Sequence, residues 1–215
     1  MPRNKYPEET VQRILDASLK LFLEKGYEQT SILDIVDQLG GLTRGAFYHH
    51  FKSKEEVWDA LSDKLFFENN PFELVKKEKN LNGLEKIKKI MSLQDSNSDL
   101  SKVNLMGESI AKNPKILANF METNQTMITP WFEELFREGM EDGSIQKSPY
   151  VKQLSELFTF ITNMWFVPFL YPCTQEEFLN KFYFVKELME HLGAPVFDDE
   201  LLSRMKGMVE QIYKE

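Results

Sequence analysis

Apolar residues return every three or four positions along most of this chain, and nowhere do they alternate between hairpin turn signals. The pattern predicts an all-α protein. From position 7 to 25, Val11, Ile14, Leu15, Ser18 and Phe22 fall on one helical stripe that Leu19 and Leu23 widen, and Gly26 stands where a left-handed cap would end it. "TSILDIVDQL" offers Thr30 or Ser31 as N-cap, Asp34 in the first turn and a buried side of Ile32, Ile35, Val36 and Leu39, with Gly40 and Gly41 after it. Thr43 then caps a helix of little more than two turns, "RGAFYHHF", and Ser53 opens a fourth through the box "SKEE".

Further along, the spacing predicts helices over 81–93, 100–112 and 114–121, and a longer one over 124–141 that Pro130 kinks or restarts after Thr129. Ser148 and Pro149 supply an N-cap and a first-turn proline for the next helix, which Pro168 and Pro172 close. Thr174 starts another with "TQEE", stopped by Gly193 and Pro195, and Asp198 caps a last helix over 199–213. "KKEKN" reads as an exposed link after Pro71, and "LQDSNSDLS" as a polar loop.

Within "GGLTRGAFYHHF" the glycine at 45 is unexpected, because a bulkier residue would favour both helix and packing. A short helix after a glycine turn, packed across a preceding helix, is a helix-turn-helix whose second helix is shaped to enter a major groove. Gly45, one turn from the start of that helix, lets the backbone approach base edges. Thr43 and Arg44 flank it as donors, Tyr48 and His49 follow on the exposed side, and Phe47 and Phe51 face the core.

Charge refines this picture. Of the 26 basic and 34 acidic residues, eight of each fall at or before Glu55, so the formal charge of -8 belongs entirely to the remainder. A neutral N-terminal module can contact phosphates locally while an acidic remainder keeps nucleic acid at that end. A single cysteine, Cys173, excludes an intrachain disulfide, and the start lacks the apolar run of a signal peptide. The expectation is a cytoplasmic protein with no membrane partner.

The stretches "ILDASLKLFLEKGYEQTSILDIV" and "LTRGAFYHHFKSKEEV" resemble the TetR-type bacterial transcriptional regulators over nearly all of the first sixty residues. They depart from the family pattern by one extra glycine, at Gly40 or Gly41. The resemblance implies a DNA-binding domain over 1–53 and a helical ligand-binding and dimerisation domain over 54–215, joined by a connecting helix over 54–70. It assigns groove contacts to Thr43, Arg44, Gly45 and Ala46. Phosphate contacts fall to Tyr48, His49, Lys54 and, at the opening of the second helix, Thr30 with its neighbour Ser31.

In the second region, Met and aromatic residues interleaved with polar ones are how an adaptable small-molecule cavity is lined. With the resemblance, this nominates Met106, Phe120, Met127, Trp131, Thr162, Asn163 and Trp165 for an unidentified inducer. Leu154, Leu157, Phe158 and Ile161 in one late helix, and Phe178, Phe182, Val185 and Met189 in the next, form faces too wide for one neighbour, which predicts a homodimer through a four-helix interface. Adjacent His49 and His50 point about 100° apart on a helix, so no metal site is expected. No cofactor and no enzyme machinery are expected either. The function predicted is a sequence-specific DNA-binding regulator, a repressor released by an inducer; the alternative is a helical protein-protein scaffold.

Overall fold

The computed structural model describes residues 7–68, 70–94, 113–167 and 170–212. All regular elements among them are helical: α1 (Pro7–Lys25), α2 (Ile32–Leu39), α3 (Arg44–His50), α4 (Lys54–Glu68), α5 (Pro71–Lys76), α6 (Gly83–Gln94), α7 (Pro114–Thr123), α8 (Thr129–Asp142), α9 (Val151–Phe160), α10 (Gln175–His191) and α11 (Asp199–Ile212). Wider π turns, Asn124–Ile128 and Ile161–Trp165, follow α7 and α9. The helix expected over 100–112 lies outside the described residues, as does Met106. Residues 7–68 with 113–119 form one compact unit, and 70–94 with 120–212 form a second.

The first unit closes around the stripe read from α1. Ile14 and Phe22 are fully buried, and Ile35, Val36, Phe47, Phe51, Val57, Trp58 and Leu61 complete the core. Phe22, Tyr27 and Trp58 form a ring triad with centroids 5.2 to 5.8 Å apart. Ser31 is the N-cap of α2: its hydroxyl accepts from the Asp34 amide, while Asp34 accepts in return from the Ser31 amide at 2.7 Å. The Arg13 guanidinium donates to the Leu39 carbonyl at 3.1 Å, satisfying the far end of α2. Ile116 of α7 enters this core, with Asn119 donating to Asp59 at 2.6 Å and Asn113 to Glu55 at 3.3 Å.

In the second unit, α6 and α8 touch backbone to backbone: a side chain on Gly83 would strike the main chain of Gly139 and Leu135. The Lys86–Glu138 ion pair lies beside that crossing. Phe132, Phe136, Phe158 and Phe197 form an aromatic column, edge-on at 4.8 Å and 5.3 Å for the first two against Phe158. The Thr174 capping box and the Asp198 cap form as read, the first with Glu177 and the second on the Leu201 amide.

The structure also departs from these expectations. Asn70 caps a short α5, not predicted from the spacing, with Pro71 in its first turn and Phe72 and Val75 buried, and the "KKEKN" segment after it is mostly exposed, as expected. Helix α9 starts at Val151; the Ser148 hydroxyl accepts from the Tyr150 amide in a local turn, so Ser148 and Pro149 lie before the helix. Around Pro130 the α-helix restarts, with α8 beginning at Thr129. The chain before it widens into a π turn in which the Thr129 amide reaches back to Asn124, and the imide nitrogen that cannot donate falls in the first turn of α8.

Candidate nucleic-acid interface

Helix α3 is held from below by one residue. Phe47 is fully buried against Phe51, with ring centroids 6.1 Å apart, while Arg44, Gly45, Tyr48 and His49 are exposed and Ala46 is half-buried. Thr43 begins the helix as its N-cap, its hydroxyl oxygen accepting from the Ala46 amide at 3.1 Å. That oxygen's own proton remains available to an acceptor. Unlike α1, α2 and α4, α3 has no acidic residue in its first turn, and Arg44 opens it. The Arg44 guanidinium lies 5.6 Å from the Tyr48 ring centroid, so both side chains stand on one exposed face.

The glycines separate into two kinds. Gly40 and Gly41 have φ of +51° and +87°, a left-handed turn that other residues enter only with strain. Gly45 is ordinary helix, and a β-carbon there would meet only the Thr43 hydroxyl, at 3.9 Å. Among the described residues nothing packs closely enough on this position to require glycine.

The remaining nominated residues divide. Ser31 is exposed but engaged as an N-cap. Thr30 is a correction: it is 1 % exposed, and its hydroxyl donates inward to the Gly26 carbonyl at 2.8 Å, so the side chain offers nothing to a phosphate. Lys54 is half-buried, with its ammonium 2.6 Å from the Tyr27 carbonyl. Desolvation pulls its pKa below the ordinary lysine range, against the opposing pull of Glu28 and Glu55. Sequence reasoning passed over Lys52, the exposed cation of the same "KSK" segment.

Residues 14–61, which contain this arrangement whole, match the family model of bacterial regulatory proteins of the tetR family. This segment carries the helix-turn-helix of the tetR family. Among curated relatives, it is 41% identical over 58 residues to the HTH-type transcriptional regulator TtgR of Pseudomonas putida, covering 27% of each chain. It is 45% identical over 56 residues to AcrR of Shigella flexneri, covering 24% of this chain and 26% of that one. The matched segment thus spans about a quarter of the length of these relatives. The TetR likeness extends along the chain in fold. A transcriptional regulator from Cytophaga hutchinsonii superposes with a TM-score of 0.58 at 15% identity over 95% of both chains. A putative TetR-family regulator from Syntrophomonas wolfei does so at 0.57 and 21%, over 97% of this chain and 96% of that one.

In the second unit, the candidate inducer residues that the structure describes lie in different surroundings. Trp165 lines an open groove of about 410 Å³ with Cys173, Glu177, Lys181 and Phe184. Phe120 is exposed, and Trp131 packs on Phe72 at 5.0 Å. Met127, Thr162 and Asn163 are half-buried beside the two π turns, where the Asn163 amide donates to Asn124 at 2.6 Å.

The dimer residues need correction too. Leu154, Phe158, Ile161, Phe178, Phe182, Val185 and Met189 are all buried within the single chain, and of the eight only Leu157 is exposed. They fill the protomer's own core. The exposed apolar positions are others: Phe160 beside Tyr171, at 6.2 Å, and Phe184 beside Trp165, at 6.0 Å. Large aromatics standing off the core stripe were the available signal.

Proposed function

We propose that this chain is a DNA-binding transcriptional regulator that represses from an operator as a homodimer and is released by a small molecule. The observation that carries the reading is Gly45, an exposed helical glycine that no close internal packing requires among the described residues, flanked by the exposed donors Thr43, Arg44 and Tyr48. Arg44 and the α3 backbone read bases, while Thr43, Tyr48 and His49 position the helix on phosphates. A gel shift with duplexes selected from a randomised pool tests it: a retarded band whose affinity falls steeply with salt supports the reading. Failure to enrich any duplex overturns it in favour of a scaffold.

Two copies meet, in this reading, through the aromatic face of Leu157, Phe160, Tyr171 and Phe184, in the twofold arrangement where each patch meets its own copy. The inducer site is placed at the facing π turns. There Asn124 and Asn163 are paired inside an apolar bundle, and the Thr159 hydroxyl, 3 % exposed, has no hydrogen-bond partner. Release requires only that the inducer prefer one separation of the two reading helices over another, the DNA-bound one matching major grooves roughly 34 to 36 Å apart. A cytoplasmic setting follows from the operator.

A further inference from the structure

The ammonium of Lys54 has been drawn away from solvent by the chain itself. It donates to the Tyr27 carbonyl at 2.6 Å, reaches the Glu28 carbonyl at 3.4 Å, and stands 4.1 Å from the centroid of the Tyr27 ring. That ring is 1 % exposed, lodged between Phe22 and Trp58, so the cation is seated on part of the core. The two carbonyls belong to the turn that leaves α1 and leads into α2.

The position of this contact in the chain gives it a purpose. Residues 27 and 54 enclose α2, the glycine turn and α3, the entire helix-turn-helix. Their contact fastens the base of that loop. Lys54 is also the first residue of α4, so the same bond sets where α4 departs relative to the start of α2. A surface lysine reaching a phosphate keeps its ammonium hydrated and mobile. Here two carbonyl acceptors and a ring face hold a half-buried ammonium, and desolvation lowers its pKa.

We infer that Lys54 is a positioning residue that latches the base of the helix-turn-helix to the first turn of α4, and that it is not one of the phosphate contacts. The inference rests on the DNA-binding reading above. It departs from the role the family resemblance assigns to this lysine.

Salt dependence and local opening, measured on the full-length protein, separate the two roles. For Lys54→Met, the slope of log affinity against log salt on a random-sequence duplex stays at the wild-type value. Affinity for a selected duplex drops several-fold, and hydrogen exchange quickens at the amides of residues 26–31. A slope shallower by about 0.9, the release expected for one lost phosphate contact, overturns the latch whatever the exchange shows. So does unchanged exchange with an unchanged slope. If the Met variant does not fold, Lys54→Gln, which loses the charge but keeps a donor for the Tyr27 carbonyl, is read by its salt slope alone: the wild-type value supports the latch, and a slope shallower by about 0.9 overturns it. If the wild-type protein binds no duplex at all, the DNA reading fails by itself, and faster exchange at 26–31 in the variant still decides the latch.

Discussion

At the scale of single residues, α3 carries a glycine where alanine would be the more stable choice. Glycine in a helix interior is less favourable than alanine by roughly 0.5 to 1 kcal/mol, and at Gly45 no internal contact offsets that loss. Gly45→Ala should therefore raise the free energy of unfolding from chemical denaturation by an amount within that range while weakening operator binding at least tenfold. Denaturation and anisotropy titrations on one preparation check both. Unchanged affinity in the stabilised variant would show that nothing approaches this backbone. Arg44→Ala should lower the ratio of operator to random-duplex affinity, whereas Tyr48→Phe should weaken both alike, because one contact specifies and the other positions. Equal ratios for the two variants would refute that division.

At the scale of elements, two pairings deserve measurement. Asn113, just before α7, and Asn119 within it donate to the carboxylates of Glu55 and Asp59 on α4. Burial raises the Asp59 pKa, with Asn119 and Lys115 opposing. A carboxyl whose folded pKa lies above its unfolded value binds more protons when folded, so its ionisation counts against the fold at neutral pH and ceases to do so in acid. Asp59→Asn should thus be more stable than wild type at pH 7, with the difference shrinking as pH falls through the carboxylate range. A constant difference across a pH series of melting curves would remove Asp59 as the cause. Near the end of α9, just before the second π turn, the Thr159 hydroxyl is buried with no partner. Removing such a group while keeping its shape relieves a desolvation penalty of about 1 to 3 kcal/mol. Thr159→Val should be as stable as wild type or more so, yet lose its response to the inducer; a full response would place the inducer elsewhere.

At the scale of the whole molecule, burial separates core from interface among neighbouring aromatics of α10. Phe182 is fully buried and Phe184 is 57 % exposed. A carboxylate in the core has no partner and opposes folding by several kcal/mol, whereas at an exposed interface it opposes association alone. Phe184→Glu should sediment as a folded monomer with native helical signal. Phe182→Glu should lose its cooperative melt. If Phe184→Glu remains a dimer at micromolar concentration, the aromatic face has been assigned wrongly.

The sequence alone determined the helical class, most helix ends and the helix-turn-helix, because these depend on local chemistry. Ser31 and Asp34, Thr174 and Glu177, and Gly40 with Gly41 act within a few residues of themselves, and a 3.6-residue stripe needs no partner to be read. Tertiary structure decided what each side chain faces. Phe158 and Phe182 look the same in sequence whether they meet their own chain or a copy, and only packing sends them inward while Phe160 and Phe184 stay out. Thr30 and Lys54 are polar residues at surface-like positions, yet carbonyls 4 and 27 residues away take their hydrogen bonds. Periodicity shows that a helix has an apolar face; what covers that face, and which donors are already taken, depends on contacts distant in sequence.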